Sequence, residues 1–416
     1  MFEFGRDLRR LFEKARDSDD LGWLELIGVG LVEVEARQQA TDAGRVSCAR
    51  PYDAWMRAAA LWREHARRCG AAESLRRAES AGRDAAASAQ NEDQAIRAAL
   101  DVSLTSMLAF DLYGGVNRID GVLEALKKLP TPRRADTAAE LAALHARMRG
   151  RQARLSGETA TLLDASALLD AALHGLRSHH GVIADDLRLD RAALSLEAGL
   201  AARDPRLLDL AGRDLRALVE AAAPEQRPLS RARALALCAA GMAALAAVAG
   251  DDPARRQAHA LFDAAADQFT PDHSPLDWAT IQILRADRES PPLAALVQAE
   301  ALTEGGGLIL GALAHERRVR QEAAKAGAVG DLSALLELEA GLRRRLARPA
   351  ATSTPLDWAA EQIGMVHIAR ARAGWTGETL DAMGLILVEA AETAREHGAS
   401  ALALHADRLM SELATA

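Results

Sequence analysis

The decapeptide SPLDWATIQI at positions 274–283 returns as TPLDWAAEQI at positions 354–363, so the two copies begin 80 residues apart. In a sequence of helical composition, self-similarity at a fixed period is typical of stacked repeats. Each unit of such a stack buries its apolar face only against its neighbours. The repeated decapeptide therefore predicts an all-α fold of the α-solenoid type.

Each copy has the residues of a helix start. Ser274 and Thr354 occupy the N-cap position, where a hydroxyl group accepts a bond from an early backbone N–H. The proline that follows each of them suits the first helical position, because an N–H there would have no helical partner. Asp277 and Asp357 lie three residues after the caps and complete a capping box. The residues assigned to this structural motif are Pro275, Asp277, Trp278, Pro355, Asp357 and Trp358.

The remainder of the 416-residue chain is also helical in composition. Aromatic residues make up only 3 %, whereas alanine, leucine and arginine are abundant, which favours helices over strands. Glycine and proline divide the chain into segments of helical length with apolar residues at i, i+3 and i+4. An N-terminal helical block at 1–130 contains the predicted helices 2–17, 20–40, 51–69, 71–89, 92–112 and 116–128.

Beyond Pro130 the predicted helices form pairs. The second domain, 131–416, contains 135–156 with 158–178, 182–202 with 205–223, 229–249 with 252–269, 275–289 with 292–303, 307–326 with 330–347 and 355–373 with 377–397, followed by a capping helix at 399–414. The period of the decapeptide thus holds two hairpins of about forty residues each, a usual length for helical repeats. We expect a right-handed superhelical stack of antiparallel hairpins.

The repeated decapeptide carries a family resemblance. Pro-Leu-Asp-Trp-Ala, with a glutamine four residues after the tryptophan, resembles the variant tetratricopeptide repeats of many bacterial helical-repeat proteins. The resemblance covers about residues 135–397. The first helix of each unit lacks the family's usual Leu-Gly pair and later aromatic residue. The chain is therefore similar to a degenerate tetratricopeptide-like protein.

This resemblance implies a non-enzymatic scaffold or adaptor. Such stacks present a concave groove, lined by the first helix of each hairpin, to a peptide or helix of another protein. Helical spacing places His367 and Arg370 on the concave side, with Gln362 near its edge. Gln282 and Gln362 have two interpretations, as caps of the loops between hairpins or as residues that line the groove. The candidate partner-binding residues are these four: Gln282, Gln362, His367 and Arg370. Trp278 and Trp358 have two interpretations, a wedge between hairpins or part of a binding surface. We favour the wedge, because large buried aromatic side chains dominate core energetics.

Charge and cysteine content argue against several classes. The formal net charge is −8, which is the wrong sign for a surface that neutralises phosphates, so nucleic acid is not an expected partner. The three cysteines are odd in number and show no CxxC spacing, which indicates reduced thiols in a cytoplasmic protein: Cys48, Cys69 and Cys238. No signal peptide and no stable membrane insertion are expected.

The N-terminal segment offers an alternative function. Phe4, Leu8, Leu11 and Phe12 form an apolar stripe at helical spacing, which suits a peripheral membrane or localisation adaptor. The acidic residues around the stripe nearly cancel the basic ones and disfavour binding to anionic lipid. Docking of this segment onto the solenoid or onto a partner protein is therefore the preferred interpretation.

Motifs for catalysis or cofactor binding are absent from the sequence. The phosphate loop, the dinucleotide fingerprint, the nucleophile elbow and the HExxH zinc motif do not occur, since His315-Glu316 lacks the second histidine. His405 is assigned to the surface or to packing. Three clustered histidines have no cysteine beside them and are interpreted as helix-end residues: His174, His179 and His180. We expect no enzymatic activity, no cofactor and no metal.

Overall fold

The described part of the chain consists of α-helices and connecting turns. The computed structural model describes residues 22–176, 181–268, 270–286, 291–304, 308–348, 354–380 and 382–415. Over these ranges there is a short 3-10 turn at Gly22–Leu26, 18 α-helices and no β-strand. The predicted helix at 2–17 with its apolar stripe lies outside the described residues, and so do His179 and His180.

Consecutive helices pack as hairpins. The helices are α1 (Val29–Ala43), α2 (Pro51–Cys69), α3 (Ala72–Ala87), α4 (Glu92–Tyr113), α5 (Val116–Lys127), α6 (Ala135–Ser156), α7 (Thr159–Gly175), α8 (Gly181–Ala202), α9 (Pro205–Ala221), α10 (Pro228–Ala249), α11 (Asp252–Ala266), α12 (Pro275–Ala286), α13 (Leu293–Thr303), α14 (Ile309–Val329), α15 (Leu332–Leu346), α16 (Pro355–Thr376), α17 (Met383–Glu396) and α18 (Ser400–Thr415). From α2 onward, each even-numbered helix packs against the odd-numbered helix that follows it. These pairs form eight hairpins among the described residues, and α18 follows the last of them. Even-numbered helices from α2 to α16 also contact one another and form one layer, so the predicted all-α solenoid is confirmed.

Helix starts follow the cap residues. The Thr354 hydroxyl accepts a bond from the Asp357 amide at 3.2 Å, and the Asp357 carboxylate accepts one from the Thr354 amide at 3.0 Å, as the capping box predicts. Five helices begin at a proline: α2, α9, α10, α12 and α16. At four starts, including that of α9, the residue before the helix has a side chain that accepts a bond from the first turn: Asn91, Asp204, Asp251 and Asp331. These local signals explain why predicted and observed starts agree closely.

The segment predicted as one helix at 20–40 is a 3-10 turn followed by α1. The guanidinium group of Arg68 donates to the carbonyl oxygens of Leu24 at 2.7 Å and Ile27 at 2.6 Å. Arg68 is completely buried, and these carbonyls stabilise its charge. The Ile27 amide donates to the Leu24 carbonyl at 3.2 Å and closes the 3-10 turn, whereas the Val29 amide donates to the His273 carbonyl, so no helical ladder runs from this turn into α1.

The helix predicted at 377–397 begins later, at Met383. Before it, α16 continues to Thr376, and Gly377 ends this helix with a left-handed φ of 69° and a bond from its amide to the Ala373 carbonyl at 2.9 Å. The longer α16 carries Trp375 in its last turn. This extension places an aromatic side chain beside the neighbouring hairpin.

Hairpins that lie five positions apart along the stack also contact each other. Helices α2 and α12 of the first and sixth hairpins contact each other, and so do α4 and α14 of the second and seventh. The Val29 amide donates to the His273 carbonyl at 3.2 Å, and the Gly115 amide donates to the His397 carbonyl at 3.4 Å. The later hairpins therefore pack on the first ones, which brings together residues that are far apart in sequence.

Ion pairs join neighbouring hairpins along the layer of even-numbered helices. Their partners lie 38 to 44 residues apart, close to the length of one hairpin: Arg63–Asp101, Arg97–Glu140, Arg147–Asp190, Arg233–Asp277 and Arg370–Glu412. The first four pairs link the first helix of one hairpin to the first helix of the next, and Arg370–Glu412 links the first helix of the last hairpin to α18. The pairs therefore specify the register of the stack in addition to the apolar core.

One of these pairs predicts a pH dependence. Burial alone would raise the pKa of Asp190, but Arg151 and Arg147 outweigh it and hold the pKa at about 2, below the ordinary 3.8. The resulting stabilisation is fully present above about pH 4 and is lost as the pH falls towards 2. We expect the free energy of unfolding to differ less between about pH 5 and about pH 2.5 in Asp190→Asn than in the wild type. Denaturant titrations followed by circular dichroism measure this, and an equal difference would contradict the ion pairs.

Helix α10 meets the length and composition criteria for a membrane span, with a mean hydropathy of 1.8, and is the one described helix that does so. A core helix of a stacked hairpin meets the same criteria. Leu229, Leu235 and Ala239 of α10 belong to one core cluster with Phe262 and Ile281. The apolar composition of α10 is thus used, at least in part, for packing between hairpins.

Candidate functional site

The two tryptophans of the repeated decapeptide share a core cluster. Trp278 and Trp358 are half-buried and pack against the cluster that contains Leu356 and Ile363. Trp278 also packs against the preceding cluster around Phe262. Trp278 thus lies between two core clusters, and the wedge interpretation of the two tryptophans stays a prediction.

The two aspartates of the decapeptide have different surroundings. Asp357 forms the capping box described above, whereas Asp277 accepts bonds from the Ser274 hydroxyl at 2.6 Å and from two arginines. Arg233 of α10 binds both carboxylate oxygens at 2.9 and 2.7 Å, and Arg67 of α2 binds at 3.2 Å. Burial raises the pKa of Asp277, and the opposing effect of Arg67 does not cancel this. Asp277 therefore connects α12 to two other hairpins, which is more than the predicted cap.

The four predicted partner-binding residues differ in accessibility. Gln282 is only 4 % exposed, because α12 packs among α2, α10 and α14, and its amide does not face solvent. Gln362 is half-buried. Arg370 is exposed and pairs with Glu412 of α18. A partner can reach Arg370 without rearrangement of the fold, whereas Gln282 is enclosed.

His367 meets two other side chains near the C-terminal end of the stack. Glu316 of α14 is completely buried, and His367 of α16 and His405 of α18 are mostly shielded from water. The two imidazole Nε2 atoms lie 3.0 Å apart, and Glu316 Oε1 lies 3.2 Å from that of His367 and 3.0 Å from that of His405. These three atoms form a nearly equilateral triangle. We call the three residues the Glu316–His367–His405 cluster.

A neighbouring arginine orients the carboxylate of this cluster. Arg317 is buried, and its Nη1 pairs with Glu316 Oε2, which leaves Oε1 towards the two imidazoles. Burial alone would raise the pKa of Glu316, but the neighbouring charges, first among them Arg317, outweigh it and hold the pKa well below its usual value. Burial lowers the pKa of His367, against the opposing effect of Glu316. The direction of the shift favours the carboxylate form of Glu316 and the neutral form of the His367 imidazole.

Sequence reasoning found one member of this cluster and missed the other two as functional residues. It treated Glu316 only as part of an incomplete HExxH motif and assigned His405 to the surface or to packing. The three residues come from three separate helices, so no local spacing marks them. One signal was present: His367 and His405 lie 38 residues apart, a separation that also occurs between paired charges of neighbouring hairpins.

Four exposed apolar side chains lie at or near the turn from α14 into α15. They are Val329 (77 % exposed), Leu332 (38 %), Leu336 (55 %) and Trp375 (60 %). The Trp375 indole N–H donates to the Gly327 carbonyl at 2.6 Å, and a methyl group at Gly330 would lie 3.1 Å from the indole ring. The ring therefore lies over this turn with a large part of its surface in solvent. We call these four residues the Trp375 patch.

No protein-family model matches the chain, and no curated protein matches it. Among solved structures, it aligns with a chain described as "Circular tandem repeat protein with novel repeat topology and enhanced subunit contact surfaces", over 99 % of this chain and 88 % of that one. The sequences are 16 % identical and the TM-score is 0.22. A likeness at this TM-score carries no argument, so the solenoid assignment depends on the packing of the helices themselves.

Proposed function

We propose that this protein is a non-enzymatic scaffold that binds a peptide or helix of a partner protein. Helical-repeat folds are generally used for such interactions, because each added hairpin extends the surface that faces a partner. The proposal includes the finer class suggested by the repeated decapeptide, a degenerate tetratricopeptide-like solenoid, and a location in the bacterial cytoplasm. In this view the protein acts by binding and catalyses no reaction of its own.

The observation that carries the proposal is the Trp375 patch. Isolated exposed apolar side chains are normal, but contiguous ones mark interaction sites. Because the indole N–H is already bonded to Gly327, the exposed part of the ring is an apolar surface. Tryptophan is also enriched among the residues that contribute most to binding at interfaces. The patch therefore supplies a candidate centre for a protein interface.

Charged pairs occur on α15 and at the end of α16, the helices that carry Leu336 and Trp375. Arg372 pairs with Glu378 at 2.9 Å, and Arg343 pairs with Glu339 at 2.5 Å. The side chains of Arg343 and Glu378 are more than half exposed. An apolar centre with a polar, solvent-exposed rim is the usual anatomy of an interface. A partner segment that suits this surface is an amphipathic helix with apolar residues on one face and charges of both signs beside them.

The Trp375 patch predicts a loss of partner binding on substitution. Trp375→Ser combined with Leu336→Ser is expected to abolish capture of the partner that the wild type recovers, because the apolar centre of the interface is removed. The measurement is affinity purification with quantitative mass spectrometry, followed by titration of the identified partner segment. Circular dichroism melting of each bait shows whether the fold is kept.

Two matched baits make the result specific. Val248→Ser removes an aliphatic side chain that is 76 % exposed near the end of α10, in the fifth hairpin, whereas the patch belongs to the seventh and eighth. This variant is expected to recover the same partner as the wild type. Arg370→Ala tests the prediction that the concave groove binds the partner. The variant is expected to fold, because the exposed pair of Arg370 with Glu412 contributes less than about 1 kcal/mol to folding. Recovery of the same partner by the folded double variant would contradict the patch proposal. Loss of partner capture with Arg370→Ala alone would place the interface in the concave groove.

A further inference from the structure

We propose that Glu316, His367 and His405 form a binding site for a divalent transition-metal ion of the kind that takes imidazole ligands, with Zn²⁺ as the reference ion. The site is independent of the scaffold function, since it does not involve the Trp375 patch. It lies where α14, α16 and α18 meet, at the C-terminal end of the stack.

The spacing of the three atoms suits a single ion. Metal bonds of about 2.1 Å at angles between about 90° and about 109° place ligand atoms about 3.0–3.4 Å apart. The three distances in the Glu316–His367–His405 cluster are 3.0, 3.0 and 3.2 Å. Two imidazole nitrogens and one carboxylate oxygen are a ligand set that Zn²⁺ and other first-row divalent ions use. Three protein ligands leave a position for water or an external anion.

Hydrogen bonds alone leave this cluster incomplete. The 3.0 Å contact between His367 Nε2 and His405 Nε2 requires one proton, which one imidazole donates to the other. Glu316 Oε1 then has no donor, and within the described part of the chain it accepts no hydrogen bond of good geometry. A fully buried carboxylate oxygen without a partner is costly. A cation among the three atoms gives each of them a bond at once.

Arg317 and the helix arrangement complete the site. The pair between Arg317 Nη1 and Glu316 Oε2 fixes the carboxylate so that Oε1 faces the imidazoles, as outer-shell partners of metal ligands do. The three ligands come from the first helices of the last two hairpins and from the closing helix α18. An ion bound there joins these elements, so its structural effect is to stabilise the C-terminal end of the stack.

The test uses the purified full-length chain after treatment with a chelator. We expect one equivalent of Zn²⁺ to bind in a competition titration against a chromophoric chelator, and Zn²⁺ to raise the melting temperature. His367→Gln and His405→Gln are each expected to weaken Zn²⁺ binding by more than the about 10–100-fold that the loss of an outer-shell partner costs. His174→Gln, which changes a largely exposed histidine on α7, is the matched control and should bind as the wild type does.

A second measurement does not depend on variants that fold. X-ray absorption spectra of the Zn²⁺-loaded wild type should show two imidazole ligands with oxygen in the remaining positions. Absence of stoichiometric binding by the wild type would overturn the proposal. So would unchanged binding by the His367→Gln, His405→Gln double variant, or a spectrum of the wild type with fewer than two imidazoles. None of these results would contradict the proposed role of the Trp375 patch, because partner capture is measured separately.

Discussion

Gly114→Ala is expected to lower the free energy of unfolding by more than about 3 kcal/mol, a loss at the upper end of single substitutions. A methyl group at Gly114 would lie 1.7 Å from the carbonyl oxygen of His397, which is backbone and cannot turn aside. Gly114 also has a φ of 72° and a ψ of −153°, a conformation that L-residues rarely adopt. Both effects act at the contact where the α4–α5 turn meets the α17–α18 turn.

The matched control is Gly157→Ala. Gly157 also has a left-handed φ, 66°, at the end of α6, but a methyl group there would meet nothing within 4 Å. Its substitution is expected to cost about 1–2 kcal/mol, the strain of the left-handed conformation alone. Urea unfolding followed by circular dichroism measures both variants. Equal losses would show that the close contact between Gly114 and His397 does not form in solution.

The contact between Gly114 and His397 joins hairpins that are distant in sequence, and an open solenoid has no such contacts. In an open stack, each hairpin is stabilised only by its immediate neighbours. Here the first and sixth hairpins and the second and seventh hairpins also touch. The Glu25 carboxylate, from the turn before α1, accepts a bond from the Ser230 amide at 2.8 Å, at the start of the fifth hairpin. A change that opens the return contact is therefore expected to weaken hairpins distant in sequence, which hydrogen exchange resolves.

Local features of the fold were predictable because their causes are local. The proline at the start of α16 and the Thr354–Asp357 capping box lie within four residues of each other, so the helix start can be predicted from sequence. The 3-10 turn before α1 could not be predicted in this way. Its carbonyls are bonded to Arg68, which lies more than forty residues away on another helix. The helix propensity of the residues around this turn contains no information on a distant partner such as Arg68.

The candidate sites also divide into features that depend on nearby residues and features that depend on distant ones. Helical spacing places His367 on the face of the predicted peptide groove, but it gives no sign that Glu316 and His405 of other helices lie beside it. Gln282 was placed on the same groove. Its burial follows from the packing of α12 against α2, and this contact is long-range. Periodicity predicts which residues share one face of a helix. The contacts between hairpins that are distant in sequence determine what covers that face.

The two aspartates of the repeated decapeptide provide the second prediction, because their sequences match and their surroundings do not. Asp277→Ala is expected to cost about 3 kcal/mol, since it removes the carboxylate shared by Arg233 and Arg67 and leaves two largely buried guanidinium groups without it. Asp357→Ala is expected to cost only about 0.5–2 kcal/mol, the range for a lost helix cap. Urea unfolding of the two variants gives the comparison.

A second pair of variants separates the cap from the link between hairpins. Asp277→Asn keeps an oxygen that can accept the bond from the Ser274 hydroxyl, but it removes the charge that Arg233 and Arg67 share. It is expected to lose most of the stability that Asp277→Ala loses, because the charge pairs outweigh the cap at this position. Asp357→Asn is expected to be nearly neutral, since asparagine retains most of the hydrogen bonding of a capping box. Similar losses for Asp277→Ala and Asp357→Ala would mean that both residues act only as caps, and that Asp277 does not connect α12 to α2 in solution.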